Sequence, residues 1–308
     1  MKKITEIRVA TRASLLASTQ CGQTVDRLHA LYPEIKFTLI IFKTLGDNVT
    51  DKPLTQFGGT GVFVKELEKA LLDDEADIAV HSLKDVPNQL RSGLVLSSFP
   101  ERETANDVLL LSPKTTRETL KYGGVIGTGS PRRRLQLAMM FPRCEFKELR
   151  GNIDTRMRKL HEGEYDAAVL AAAGLRRLGY NVDLANILTT DECIPAVSQG
   201  CLVMECREKD DEIIKIIRSI NDAKTETAVL AEREFMRIME GGCKLPLAGY
   251  AHWQGGSLRL SVMAGNLGQN RMVRMAANLD ANNALSAAAA LAQEVIKKMT
   301  EEGIEFAL

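Results

Sequence analysis

Aromatic side chains are scarce, with one Trp, five Tyr and nine Phe in 308 residues. Few rings are therefore available for stacking on bases, and no nucleic-acid recognition motif is visible. Histidine is rarer still: His29, His81, His161 and His252 are too few and too scattered for a multi-histidine metal centre. Six cysteines (Cys21, Cys144, Cys193, Cys201, Cys206 and Cys243) lie at irregular spacings without a Cys-x-x-Cys pair. That pattern speaks against zinc and against a disulfide framework, and favours reduced thiols in a cytoplasm. No apolar run approaches the roughly 18 residues that span a bilayer, so no membrane partner is expected. Glu6 and Arg8 stand where the apolar core of an export signal would follow Met1-Lys2-Lys3. There is no net charge either, forty Lys and Arg balancing forty Asp and Glu.

The neutral total hides a basic middle. Between Gly127 and Arg177, nine Arg and two Lys face six acids, an excess of +5. Apolar types make up 45% and charged types 26%, an ordinary soluble composition, and the length suits about two domains. Strand-length apolar runs alternate with helical patterns, which argues for α/β units. Strands are expected at 7–10, 37–42, 78–80, 108–111, 125–126, 146–149, 167–170 and 202–205. Helices are expected near 14–31, 63–72, 131–140, 153–161 and 212–220. After residue 220 the pattern changes to a helix over 225–239, strand-like segments at 247–253, 258–262 and 272–279, and an Ala-rich helix over 284–299. The pattern predicts two parallel-sheet α/β domains, then a small α+β domain with an antiparallel sheet.

In open α/β sheets, ligands bind beyond the carboxyl ends of strands, where helix N-termini also point. Arg12 and Ser14 follow the first expected strand, and Ser14 suits an N-cap. His81-Ser82-Leu83-Lys84-Asp85 follows the third. The run Gly127-Thr128-Gly129-Ser130-Pro131-Arg132-Arg133-Arg134 repeats that logic: small residues allow close approach, Ser130 fits a cap and Pro131 the first helical position. Arg150-Gly151-Asn152 follows another strand, with Arg156 on the next helix. Arg12, Lys84, Arg132, Arg133, Arg150 and Arg156 could thus converge on one crevice suited to carboxylate or phosphate groups. Asp85 stands as an isolated acid able to steer a proton or stabilise a developing cation. Cys243, after two glycines and before Lys244, has the access and the neighbouring ammonium that favour thiolate. Gly46 to Gly61 forms a long loop containing Gly58-Gly59-Thr60-Gly61.

Together these segments resemble the porphobilinogen deaminase (hydroxymethylbilane synthase) family. The resemblance runs in order from Ile7 to about Ala251. It is carried by Ala10-Thr11-Arg12-Ala13-Ser14, Gly58 to Leu67, Ala79 to Pro87, Gly127 to Arg133 and Leu149-Arg150-Gly151-Asn152. Further on come Ala171 to Leu175, Pro195 to Gly200, Ala231-Glu232-Arg233 and Glu240-Gly241-Gly242-Cys243. It implies an α/β fold of two periplasmic-binding-protein-like (type II) lobes plus a small C-terminal α+β domain. The implied division is 1–100 with 200–219, 105–195, and 222–308, the last carrying the cofactor-anchoring Cys243.

The resemblance further implies a transferase that joins four molecules of its small-molecule substrate, porphobilinogen, releasing four ammonia and forming hydroxymethylbilane. The chain grows on a dipyrromethane cofactor attached through Cys243, in a cytoplasmic monomer without nucleic-acid or membrane partners. Asp85 is then the catalytic residue, holding pyrrole N–H groups and stabilising the azafulvene cation left as ammonia departs. Cofactor contacts fall to Lys84, Asp85, Thr128, Ser130, Arg132, Arg133 and Arg150, and substrate contacts to Arg12, Ser14, Arg150, Arg156, Arg177 and Gln199. Four positions depart from the family pattern: Leu45, Gln56 and Thr60 near and in the glycine-rich loop, and Ser198 where Gly is usual. Two rival readings are a non-catalytic receptor for a carboxylate-rich molecule, which leaves Gly241-Gly242-Cys243 unexplained, and a thiol enzyme, which lacks an evident His partner.

Overall fold

The structure is a computed structural model and describes residues 4–42, 64–239 and 246–306. The glycine-rich loop, with Leu45, Gln56 and Thr60, and Cys243 lie outside the described residues. The chain packs as two compact units, Met1–Glu103 with Gly200–Glu226, and Thr104–Gln199 with Thr227–Leu308.

The first unit holds a five-stranded sheet in the order β2-β1-β3-β9-β4. Its strands are β1 (Glu6–Arg12), β2 (Lys36–Phe42), β3 (Ile78–Ser82), β4 (Leu94–Ser98) and β9 (Leu202–Arg207). Apolar side chains cover both faces. Ile7, Val9, Ile78, Met204 and Cys206 pack towards one side with Leu28 of the helix Leu15–Leu31, and Ala10, Ala79 and Leu94 pack towards the other with Leu67 and Leu71. A sheet buried on both faces reads as continuous apolar runs, which is how these strands stand out in the sequence.

The second unit holds β5 (Asp107–Leu111), β6 (Gly124–Gly127), β7 (Cys144–Lys147) and β8 (Ala167–Ala171) in the order β5-β8-β6-β7. A separate antiparallel sheet of β10 (Leu247–Gln254), β11 (Ser257–Asn266) and β12 (Arg271–Leu279) carries the helix Ala284–Glu301. Phe235, Leu258, Leu260, Val262, Leu291 and Val295 form its core. The described residues thus form two mixed α/β sheets and a small α+β portion with an antiparallel sheet.

The expectation of purely parallel sheets needs correcting. β1 is parallel to β2 and β3, and β6 to β7 and β8, but β9 runs against both β3 and β4, and β5 runs against β8. Parallel direction is imposed where a strand–helix–strand crossover returns the chain to its own sheet. β5 and β9 are each the first strand after the chain passes from one unit to the other, so no such crossover constrains them. Two local readings also shift. The expected strand 146–149 is Cys144–Lys147, because Gly151 at φ +108° already turns the chain towards the next helix. β4 escaped the apolar pattern because it ends in Ser97-Ser98 and carries a register irregularity after Leu96.

Candidate functional site

In the first unit, β1 and β3 are parallel neighbours, with Val9 opposite Ile78 and Ala10 opposite Ala79. Their carboxyl ends therefore share one edge of the sheet. Arg12 is the last residue of β1, and Ser14 caps the helix Leu15–Leu31 by accepting from the Ala17 amide at 3.3 Å. β3 runs into a single 3-10 turn, Leu83–Asp85, which places Lys84 and Asp85 half-buried at that edge. The turn is held from three sides. The Leu83 amide donates to the Cys201 carbonyl at 3.0 Å, the Ser82 hydroxyl donates to Gln20 Oε1 at 3.1 Å, and His81 Nε2 lies 2.9 Å from Glu205 Oε2. His81 and Glu205 are both buried, so this pair is internal to the sheet and helix layer.

In the second unit the same edge is formed by the carboxyl ends of β6, β7 and β8. After β6, the Thr128 amide donates to the Lys147 carbonyl, and Thr128 Oγ1 accepts from the Ser130 amide at 3.2 Å. Ser130 then caps the helix Pro131–Met140, accepting from the Arg133 amide. Gly127 is obligatory for packing here: a Cβ would sit 2.7 Å from the Tyr165 ring. After β7, Arg150 pairs with Glu148 at 2.5 Å, and Asn152 caps the helix Ile153–His161 by accepting from the Thr155 amide at 2.9 Å. Arg156 Nε donates back to the Gly151 carbonyl at 2.7 Å, fixing the helix to the turn. Arg177 closes the helix Ala172–Arg177 that follows β8, and is half-buried.

Three of the expected site residues meet at an acid that the sequence pattern did not single out. Asp107, fully buried, accepts from Arg133 Nε at 3.0 Å and Nη2 at 2.7 Å, and pairs with Arg132 Nη1 at 2.8 Å. Gln199 Nε2 donates to it at 2.9 Å and to the Ala105 carbonyl at 2.6 Å. Burial pushes the Asp107 carboxyl up, but the two guanidiniums outweigh it and hold the pKa well below the ordinary carboxylate value. Burial likewise works against the Arg132 charge, and Asp107 reverses the balance and raises the guanidinium. Asp107 reaches this edge because β5 is antiparallel: it is the first residue of β5 and lies opposite Ala171, the last of β8. In an all-parallel sheet the first residue of a strand sits at the other end. The readable signal was an acid opening an apolar strand just after a change of unit.

The described cysteines offer no reactive thiol. Burial pushes Cys21, Cys193 and Cys206 up to about 12 and raises Cys144, while Cys201 is buried and donates to the Leu202 carbonyl. No group of His, Cys, Asp and Glu among the described residues is arranged to hold a metal ion, and no described helix is long and apolar enough to cross a membrane.

Comparison with known proteins gives two family matches. Residues 7–215 match the model described as porphobilinogen deaminase, dipyromethane cofactor binding domain, and residues 226–301 match the porphobilinogen deaminase C-terminal domain. The porphobilinogen deaminase of Geobacillus sp. (strain WCH70) is 46% identical over 248 residues, covering 80% of each chain. That of Bacillus subtilis (strain 168) is 45% identical over 246 residues, 80% of this chain and 78% of that protein. That of Syntrophus aciditrophicus (strain SB) is 41% identical over 268 residues, 87% and 88% of the two. Among solved structures, the BvgS periplasmic VFT2 domain of Bordetella pertussis aligns over 70% of this chain and 86% of that one, at 18% identity and a TM-score of 0.40. Matched by family models over residues 7–215 and 226–301, and by relatives at 45–46% identity over about four fifths of their length, the chain belongs to the porphobilinogen deaminase family.

Proposed function

We propose that this chain carries out the family reaction with Asp85 as its catalytic residue and the strand-end guanidiniums as its carboxylate grips. The enzyme polymerises four porphobilinogen molecules into hydroxymethylbilane and releases four ammonia. Each pyrrole unit bears an acetate and a propionate, so the growing chain is a polyanion. The observation that carries the residue assignment is the buried cluster of Arg132, Arg133 and Asp107. Two guanidiniums against one carboxylate leave a net +1 in a desolvated position, which a ligand carboxylate would balance.

Arg12 and Ser14 in the first unit, with Arg150, Arg156 and Arg177 in the second, hold further substrate carboxylates, and Gln199 contributes from its place on Asp107. Thr128, Ser130, Lys84 and Asp85 belong with Arg132, Arg133 and Arg150 on the cofactor side. A bound dipyrromethane would supply the free pyrrole α-carbon for the first condensation, and the unit just added would supply it for the next. Asp85 accepts the pyrrole N–H, stabilises the azafulvene cation left on the substrate as ammonia departs, and takes part in removing the proton after the carbon–carbon bond forms. A fixed carboxylate on a turn held from three sides needs no reorganisation to meet that charge, which makes it effective.

Cys243 is the thioether anchor. This is supported by the raised or buried state of the five described thiols, since a thiol near 12 is almost wholly protonated at neutral pH. The domain division 1–100 with 200–219, 105–195 and 222–308 goes with three separate sheets. The same reading places a monomer in the cytoplasm, which light scattering and cell fractionation test. The decisive experiment is intact-protein mass. The purified wild type carries an adduct of two linked pyrrole units that is absent from Cys243→Ser, and an unmodified but active wild type overturns the assignment.

A further inference from the structure

Two buried acids, Glu205 of β9 and Glu68 of the helix Lys65–Leu72, stand at the two ends of the segment that carries Asp85. Before the turn, Glu205 Oε2 meets His81 Nε2 at 2.9 Å. His81 is opposite Val203 and Glu205 is opposite Ala79, so the ring leans back towards the start of β3, away from the turn. After the turn, Arg91 Nε pairs with Glu68 Oε2 at 3.1 Å. Residues 86–93 form no helix or strand, and this pair ties them to the helix. The two pairs are neighbours: burial pushes the Glu68 carboxyl up and Glu205 adds to it, while Arg91 and His81 act the other way.

Stability does not account for this arrangement. Glu205 shares its face with the apolar layer of Ala10, Leu67, Leu71, Ala79 and Leu94. An apolar pair of equal volume in such a layer is commonly as stable as a buried polar pair, or more so. Glu205 Oε1 is also buried without a hydrogen-bond partner among the described residues, which adds to the cost. What a polar pair adds is direction, because a hydrogen bond fixes an angle and a distance where apolar packing tolerates small slips.

We infer that His81, Glu205, Glu68 and Arg91 are positioning residues for Asp85, the first pair fixing the strand end before its turn and the second the chain after it. The inference rests on the proposal that Asp85 is the catalytic residue. Displacing a reacting group by about 1 Å can slow a reaction about 100-fold, so small slips at either end of this segment reach the chemistry.

The first test replaces the inner pair with apolar side chains of similar volume, His81→Leu with Glu205→Met, which leaves neither partner buried alone. In the holoenzyme loaded with dipyrromethane by intact mass, kcat falls about 10- to 100-fold, KM for porphobilinogen stays within about threefold, and Tm equals or exceeds that of the wild type. The same replacement made in Asp85→Asn changes kcat by less than about twofold, because the carboxylate it displaces is already gone. A folded apolar pair with wild-type kcat overturns the inference. So does an equal fall in both backgrounds, which is what a general loss of structure produces.

A second test does not disturb the core, since Arg91 is exposed. Arg91→Gln lowers kcat at least about threefold with KM unchanged, and Arg91→Lys, which keeps a cation beside Glu68, restores most of it. An unchanged kcat in Arg91→Gln, or an equal loss in Arg91→Lys, overturns the assignment. Asp85→Asn alone judges the underlying reading: wild-type-like turnover there removes Asp85 from the mechanism, whatever the two pairs show.

Discussion

Ser198 occupies a position for which serine is poorly suited, and replacing it with glycine is expected to stabilise the protein. Its φ is +62°, in the left-handed region, and it is 1% exposed. The conformation is imposed from outside: the Ser198 amide donates to Glu232 Oε2 at 2.6 Å, while Glu232 Oε1 accepts from the Ala251 amide at 2.8 Å. One buried carboxylate thus straps this segment to the C-terminal sheet. The side chain gains nothing in return, because its hydroxyl has no hydrogen-bond partner among the described residues.

A non-glycine residue in the left-handed region costs about 1 kcal/mol or somewhat more, and a buried hydroxyl without a partner about 1–3 kcal/mol. Against that relief, glycine's freedom in the unfolded chain costs about 0.5–1 kcal/mol, and the lost methylene about 0.8 kcal/mol. The balance favours Ser198→Gly by about 1–2 kcal/mol, which for a unit of this size raises Tm by roughly 2–8 °C. Calorimetry and urea unfolding at neutral pH measure it. Ser198→Ala removes the hydroxyl but keeps a Cβ at positive φ, so its gain comes from the hydroxyl alone. A Ser198→Gly midpoint equal to or below wild type would show that neither the backbone conformation nor the buried hydroxyl carries the cost assigned to it.

Asp85→Asn is expected to keep substrate binding and lose most turnover, read as kcat falling by about 100-fold or more while KM changes little; wild-type-like turnover removes Asp85 from the mechanism. Gly151→Ala places a Cβ 2.8 Å from Thr155 Cγ2 at φ +108°, and should cost about 1–3 kcal/mol. It should also raise KM by displacing Arg150; a neutral melt contradicts the geometry. The Asp107 carboxyl lies below its ordinary pKa in the folded chain. Its stabilisation is therefore present above the unfolded value near 4 and is lost as pH falls further. The urea midpoint should drop between about pH 5 and pH 2, and Asp107→Asn should flatten that part of the drop.

Local chemistry was the most legible part of the chain. The helices Pro131–Met140 and Ile153–His161 were readable to the residue, because a serine or asparagine cap, and in one case a proline, marks where each begins. The strand-end placement of Arg12, Lys84, Asp85 and Arg150 was legible for a similar reason: each follows an apolar run that ends in a turn. What the pattern could not carry was strand direction. β5 and β9 look like any apolar run, and their antiparallel course depends on the chain leaving one unit and entering the other, which no local window records. Asp107 was overlooked for that reason, although Arg132 and Arg133, which both pair with it, stand out in the sequence.

The position of β9 has a consequence for how the protein is made. It lies between β3 and β4, so the first sheet lacks an interior strand until residues 202–207 have been synthesised. A nascent chain that has emerged only to the end of β4 has an open seam along β3, with His81 lacking the Glu205 it pairs with. The N-terminal segment is therefore not a self-sufficient folding unit, and the ribosome must deliver the whole of the intervening segment before it can close. Until then the β3 edge is a template for pairing with another chain, and truncations ending near residue 100 should aggregate rather than fold.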